Sequence, residues 1–440
     1  MLILLLFFLI IGSFGEATEN GANLELENGE FSDEGGNGTF FEDEYPPIYY
    51  LKNLTKDILG DDYEKEVSPF TISHIAEEDE NPIPWNYTIF VPQLKLIDVD
   101  EPKEQMTVIM ELVQHWKDER LIWDPEKYGK ITELTTRLEK IWSLPFTAFG
   151  ASEVVEHRDQ NYRTAQVWHN GDVFVLIPLK MTTNCKMNMR DFPFDTQICE
   201  VRVGLPLHGP HRFEIGVYLP EYVVNSCTLG NSAWDIFNIS YGQEVILSGD
   251  SNFDNNKLGV IKLHLKRNPM FYMYMIVLPT FIINAISIAG VFMKNTEKMD
   301  RLTVGLTHIM TMTFILALIA DKLPKTEKIP LLGKYIIFGL CTMIVAMTFS
   351  TYLKKISKYF SEKLEKTRSA FGQKLRRFIG SPLRVICIII FQAINLFAGL
   401  YLLYRLICFE QKYDDKKCYR AEPVMEIIPE RFANGTLKEA

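Results

Sequence analysis

The sequence predicts an extracellular β-sandwich domain joined to a four-helix transmembrane bundle. Three observations predict it. Short strand-like runs fill the chain between Trp85 and Lys266, four apolar stretches of bilayer length follow Met270, and an exportable start precedes sequons that all fall in segments expected outside. The 440 residues, 47% of them hydrophobic, allow about two domains. No phosphate-binding glycine loop, zinc-ligand spacing or nucleophile motif occurs, which argues against an enzyme. Nothing calls for a cofactor, a metal site or a nucleic-acid partner.

Residues 1–17, MLILLLFFLIIGSFGEA, read as a secretory signal peptide, an apolar run ending in small residues, although no Lys or Arg precedes it. Residues 18–48 are acidic and rich in Gly and Asn, with no basic residue, and this composition predicts a disordered solubilising segment. An exterior domain then covers 49–267. It opens with a short surface helix over Tyr49–Tyr63, where apolar and charged positions alternate at helical spacing. Strands are expected at Asn86–Ile97, Met106–Trp116, Asp172–Met181, Ile198–Leu205, Arg212–Leu219, Trp234–Leu247 and Leu258–Lys266. The last shows the period of two plainly, with Ile261, Leu263 and Leu265 on one face and Lys262, His264 and Lys266 on the other. So many short strands predict a sandwich. Its last strand runs through Arg267-Asn268-Pro269 into the first apolar stretch, so a movement of the sandwich reaches a membrane helix without a slack linker.

The membrane domain covers 268–410, with spans about 270–293, 301–321, 332–353 and 383–408. The link at 354–382 holds Lys354, Lys355, Lys358, Lys363, Lys366, Arg368, Lys374, Arg376 and Arg377 against Glu362 and Glu365, and such a basic loop stays cytoplasmic. An amphipathic helix at Lys354–Phe378 is expected there. Both termini, including the tail at 411–440, then lie outside a plasma-membrane protein. Sequons at Asn37, Asn53, Asn86, Asn238 and Asn434 agree with that placement, as does the net charge of −10.

The second span carries one stripe at steps of three and four: Asp300, Thr303, Thr307, Met310, Phe314, Ala317 and Asp321. Hydroxyls and carboxylates along one edge are costly against lipid tails. They suit either a water-filled channel surrounded by several copies or a bundle in which neighbouring helices bond the hydroxyls. In the first case carboxylates ring each mouth and Met310 and Phe314 form an apolar girdle that closes by expelling water. His308 lies off the stripe and reads as a neutral histidine bonded to a neighbouring helix. Outside the membrane, Cys185 and Cys199 are spaced to pair, and closing a loop of about 15 residues contributes roughly 3 kcal/mol. Within the loop, Phe192-Pro193-Phe194-Asp195 sets a proline that admits a cis peptide between two large rings, an apolar tip in need of a surface such as the membrane end of the protein.

Cys-x13-Cys enclosing Phe-Pro-Phe-Asp, with four spans after it, closely resembles the Cys-loop family of pentameric ligand-gated ion channels. The resemblance runs from the helix at Tyr49 to the end of the fourth span. It takes in Trp116-Lys-Asp-Glu-Arg-Leu-Ile-Trp123-Asp-Pro125-Glu-Lys-Tyr128-Gly, which looks like the acetylcholine-receptor side of the family. Lys140-Ile-Trp142, Arg267, Pro279 and the stretch from Pro324 to Pro330-Leu-Leu-Gly-Lys-Tyr335 also match.

The resemblance implies a ring of five, this chain with four identical or related subunits, whose second spans line the pore, and a small-molecule agonist at exterior subunit interfaces. It implies that the Cys-loop tip (Phe192, Pro193, Phe194, Asp195), Arg267, the turn with Asp98 and Asp100, and the linker at Pro324 pass ligand binding to the pore. Arg267 would pair with Asp195 or with an acid of the Asp98–Glu101 turn. Asp300 and Asp321 would select cations, monovalent ones with calcium left open, since anion-selective relatives carry Pro-Ala where this chain has Met299-Asp300.

The ligand site departs from the acetylcholine pattern, which needs an aromatic cage. The expected Trp after the loop is Pro206, the expected cysteine pair is missing from Gly249–Asn256, and the aromatic before Trp116 is Glu111. Glu111, Phe149, Trp168 and Phe253 remain as ligand candidates. Either the agonist differs, or the chain is an accessory subunit offering one face of a site in a mixed ring. A non-conducting adhesion or signalling receptor is the reading from another class. Cys408–Cys418 or Cys227–Cys418 could pair, and Cys341 and Cys387 read as packing residues.

Overall fold

The computed structural model describes residues 47–60, 62–69, 85–144, 146–204, 213–220, 223, 229–246, 256–293, 298–325, 328–365 and 382–414. The sequons at Asn37 and Asn434, Phe253, Cys227 and Cys418 lie outside them. After helix α1 (Pro47–Ile58), eleven strands among the described residues form two sheets. One is seven-stranded, in the order β3 (Glu133–Arg137), β6 (Thr164–Trp168), β7 (Asn170–Asn184), β2 (Gln105–Ile122), β1 (Trp85–Asp100) and β9 (Phe213–Tyr218), with β5 (Ala151–Glu156) also pairing β7. The other is β10 (Trp234–Ile246), β11 (Asn256–Arg267), β8 (Thr196–Gly204) and β4 (Thr147–Phe149).

Alternation drives the assembly. In β2 every second residue from Met106 to Asp118 is buried, and the residues between them are half-exposed until Lys117, which is exposed. In β11 Ile261, Leu263 and Leu265 are buried while Lys262, His264 and Lys266 are half-exposed. Each expected strand is present, usually a few residues longer. β3, β4, β5 and β6 have no counterpart in the expectation. All four are short, β3 (Glu-Leu-Thr-Thr-Arg) and β5 (Ala-Ser-Glu-Val-Val-Glu) are also polar, and they take strand form from pairing with their neighbours rather than from propensity.

The far end of β2 is held by a buried carboxylate. Asp118, with no exposed side-chain surface, accepts from Arg120 Nε at 2.9 Å, Arg120 Nη2 at 2.7 Å and the Tyr63 hydroxyl at 3.0 Å. Arg120 Nη1 donates to the carbonyls of Glu64 and Val67, and Trp142 N donates to the Tyr63 oxygen. Gly171 takes a φ of 86° beside this knot, where a Cβ would stand 2.6 Å from the Asp118 carbonyl.

Among the described residues four helices follow: α2 (Met270–Phe292), α3 (Lys298–Lys322), α4 (Leu331–Glu365) and α5 (Pro382–Asp414). α2 contains a π turn over Met273–Val277 just before Pro279, and the Thr280 hydroxyl donates to the carbonyls of Ile276 and Val277 freed there. α4, with 35 residues, is about 52 Å long, well beyond a hydrocarbon core of about 30 Å. Its apolar part stops at Leu353, but Lys and Glu are good helix formers and the same helix continues to Glu365. The remainder of the amphipathic helix expected at Lys354–Phe378 lies outside the described residues.

Asp118→Ala should leave the Arg120 cation and the Tyr63 hydroxyl without their acceptor, at a cost of roughly 3–5 kcal/mol. Fluorescence-detected size exclusion of the detergent-solubilised protein would then show loss of the folded peak, and a wild-type profile would show that the knot carries little stability.

Candidate functional site at the membrane junction

The Cys185–Cys199 disulfide closes the loop between β7 and β8. The Phe192–Pro193 peptide is cis. Gln197 bridges the loop, donating from Nε2 to Asn188 O at 3.1 Å and to Asp195 Oδ2 at 2.6 Å, while its Oε1 accepts from Asn188 N. Asp195 is thereby aimed at Arg267.

Arg267, at the end of β11, is 1% exposed. Its Nε donates to Asp195 Oδ1 at 2.8 Å and its Nη2 to Asp195 Oδ2 at 3.4 Å. Its Nη1 donates to Glu101 Oε1 at 2.7 Å and to the Tyr272 hydroxyl at 3.4 Å. The Trp234 ring centroid lies 4.0 Å from the guanidinium carbon and that of Phe192 4.8 Å. Burial alone would weaken the charge, but Asp195, Tyr272 and Glu101 outweigh it and raise the guanidinium pKa. One side chain thus joins the disulfide loop, the β1–β2 turn and the start of α2. In that turn the acid that reaches Arg267 is Glu101. Asp100 is taken by Lys103 at 2.7 Å, and Asp98 makes no contact with Arg267.

The loop tip is buried against the helices. Phe192 packs on Tyr272 with ring centroids 4.7 Å apart, and Phe194 lies 6.0 Å from Phe409 of α5. The carbonyls of Arg190 and Phe192 accept from Leu331 N and Leu332 N, capping the first amides of α4. Two ion pairs tie α5 to the same place, Arg405 with Asp191 and Lys266 with Glu410, at 2.8 and 2.7 Å. Pro324, between α3 and α4, is buried.

α3 has two opposite faces. Arg301, Gly305, His308, Met312 and Ile319 are buried against the rest of the bundle. Asp300, Thr303, Thr307, Met310, Phe314, Ala317 and Asp321 are all exposed, Met310 at 75% and Phe314 at 62%. Arg301 turns away from Asp300 and donates to Ser350 Oγ and the Met293 carbonyl. His308 Nε2 donates to Asn284 Oδ1 of α2 at 2.7 Å. Gly339 of α4 leaves room for that Asn284 amide, since a Cβ there would come within 2.6 Å of it.

The ligand candidates are dispersed within one chain. Glu111 is half-exposed in the middle of β2, opposite Gln93 and Pro178, with no ion-pair partner among the described residues. Trp168 ends β6 opposite Glu133, and Phe149 belongs to β4 of the other sheet. Asn86 is exposed, whereas Asn53 and Asn238 are half-exposed. Cys341, Cys387 and Cys408 are free thiols. Sequence reasoning missed Glu101 as the specific partner, Gln197 as the brace of Asp195, and the α5 contacts, none of which has a spacing signal.

A β-sandwich joined through one buried arginine to four apolar helices of bilayer length has the architecture of a membrane receptor. Comparison with known proteins agrees. Residues 51–269 match the neurotransmitter-gated ion-channel ligand binding domain, and residues 276–383 match the neurotransmitter-gated ion-channel transmembrane region. The chain belongs to this family, the Cys-loop ligand-gated channels, and is nicotinic-like. It is 26% identical over 345 residues to the acetylcholine receptor subunit alpha-type des-2 of Caenorhabditis elegans, covering 76% of this chain and 61% of that one. It is 29% identical over 267 residues to the neuronal acetylcholine receptor subunit beta-2 of Carassius auratus, covering 60% and 55%. It is 25% identical over 279 residues to the 5-hydroxytryptamine receptor 3A of Mus musculus, covering 62% and 56%. The chain therefore spans between half and two thirds of the length of these relatives.

Asp195→Asn and Arg267→Gln should each lower the apparent melting temperature in detergent, because each leaves a buried group uncompensated. The double variant should lose less than the sum of the two. Strictly additive losses would mean that the pair is not energetically coupled.

Proposed function

We propose that this chain is a subunit of a cation-selective ligand-gated channel of the plasma membrane. It works in a ring of five with both termini outside, and α3 lines the pore. The observation that carries this is the division of α3. The face with Arg301, His308 and Met312 is used by the chain's own helices, and the stripe from Asp300 to Asp321 is left uncovered. Carboxylates on an uncovered membrane helix need water, and a ring of such helices encloses it. Carboxylates at both ends favour cations, and Met310 and Phe314 supply the apolar constriction. Signal passes from an agonist at subunit interfaces through the junction at Arg267. The basic link after α4 and the exterior sequons support the orientation.

The agonist is a small molecule held differently from acetylcholine, because Pro206, Glu111 and Gly249–Asn256 lack the expected aromatic cage and cysteine pair. The same departures favour a second reading, an accessory subunit in a mixed ring.

Voltage-clamp recording from cells expressing this chain alone, during application of choline-like compounds, amines, amino acids and protons, separates the readings. Agonist-evoked current supports a self-sufficient channel. Silence alone with altered currents on co-expression with a nicotinic-type subunit supports the accessory role. In whichever ring conducts, Asp300→Lys should move the reversal potential toward that of chloride, and an unchanged reversal potential would remove Asp300 from the selectivity ring.

A further inference from the structure

β1 and β10 belong to different sheets, yet one side chain joins them near the membrane end. β1 bulges where Leu96 pairs Val108 and Asp98 pairs Thr107, so Ile97 has no partner in that register. Asn231, in the turn just before β10, reaches it: Nδ2 donates to Ile97 O at 3.1 Å. The other end of the same amide shapes the turn. Asn231 Oδ1 accepts from Ala233 N at 3.0 Å and from Trp234 N at 2.8 Å, and Asn231 N donates to Trp234 O at 2.8 Å. Asparagine suits the place because one short side chain carries both an acceptor for nearby amides and a donor for a second strand. Gly230 precedes it where a Cβ would come within 2.3 Å of Trp234 O.

The hydrogen bonds continue across the sheet into the membrane helix. Trp234 pairs Arg267, and one residue on, Asn268 N donates to Ala233 O at 2.8 Å. Pro269 has no amide hydrogen, so the first amide of α2 in need of an acceptor is that of Met270. Asn268 Oδ1 accepts it at 3.2 Å. From Ile97 of β1 the bonds thus pass through Asn231, Ala233 and Asn268 to Met270 of α2. This path uses no charged group, unlike the Arg267 cluster beside it. The two meet at Trp234, whose backbone Asn231 holds and whose ring stacks on Arg267. Asparagine turns are ordinary local devices, but the bond to Ile97 joins residues 134 apart in sequence and is not local.

We propose that Asn231 and Asn268 are positioning residues of the junction, forming an uncharged relay that holds the first turn of α2 to the end of β1. Its use in passing ligand binding to the pore rests on the reading under Proposed function, whereas the relay itself does not.

Hydrogen–deuterium exchange of the full-length protein in detergent, followed by mass spectrometry, tests the relay without an agonist. Asn231→Asp keeps the oxygen that accepts from Ala233 and Trp234 but loses the donor to Ile97. It should speed exchange over residues 268–276 about fivefold, equivalent to one net hydrogen bond of about 1 kcal/mol. Asn231→Ser, which keeps an oxygen without adding a charge, should do the same. Asn268→Ala should speed exchange over residues 229–236 by a similar factor, because coupling between two sites is reciprocal. Residues 106–118 of β2 should exchange as in the wild type. Acceleration confined to the substituted segment would mean two unrelated turns and overturns the relay, and acceleration that extends to 106–118 overturns it as general loosening. A failed relay leaves the channel reading standing, and a silent channel leaves these exchange rates unchanged.

Discussion

A guanidinium that is 1% exposed survives only where anions and ring faces replace the water it has lost. At Arg267 the replacements come from four separate parts of the chain: Asp195 from the disulfide loop, Glu101 from the β1–β2 turn, Trp234 from β10 and Tyr272 from α2. Each of these must be in place for the charge to be tolerated, so they must move together or not at all. That constraint ties the sandwich to the start of the helices. A sandwich merely resting on a bundle could shift without consequence, whereas one pinned through a dry ion pair cannot.

The contacts around the arginine widen the same joint. The loop caps α4 through the carbonyls of Arg190 and Phe192, and α5 grips the loop through Arg405 and the strand end through Lys266. Residues 266 and 267 are adjacent, so α5 and the disulfide loop hold the last strand from two sides immediately before it becomes α2. The π turn over Met273–Val277 and Pro279 lie just beyond. The chain is thus held at the junction and departs from regular α-helix directly after it.

Within the bundle, two polar side chains decide which face of α3 is used. His308 bonds Asn284, which lies against Gly339, and Arg301 bonds Ser350 and the Met293 carbonyl. Both polar side chains are spent on neighbours, and the face opposite them is the stripe with Asp300 and Asp321. Without these bonds the apolar residues around the rest of the helix would fix its rotation only loosely, because lipid and protein interiors are similarly apolar.

Periodicity and composition alone determined the sandwich, the four spans, the Cys185–Cys199 pairing and the stripe on α3, since each is written in spacing that a local reading detects. Short polar strands such as β3 and β5 escaped, because they exist only by pairing with a longer neighbour. The helical run from Lys354 to Glu365 looked like a separate element because apolarity stops at Leu353 while helix propensity does not. Choosing Glu101 over Asp98 and Asp100 as the partner of Arg267 depended on where a turn placed each carboxylate. The joining of Lys266 with Glu410 likewise bridges residues distant in sequence. Only the tertiary structure could decide these, because long-range ion pairs and buried polar contacts obey distance in space, which neighbouring residues in a sequence do not encode.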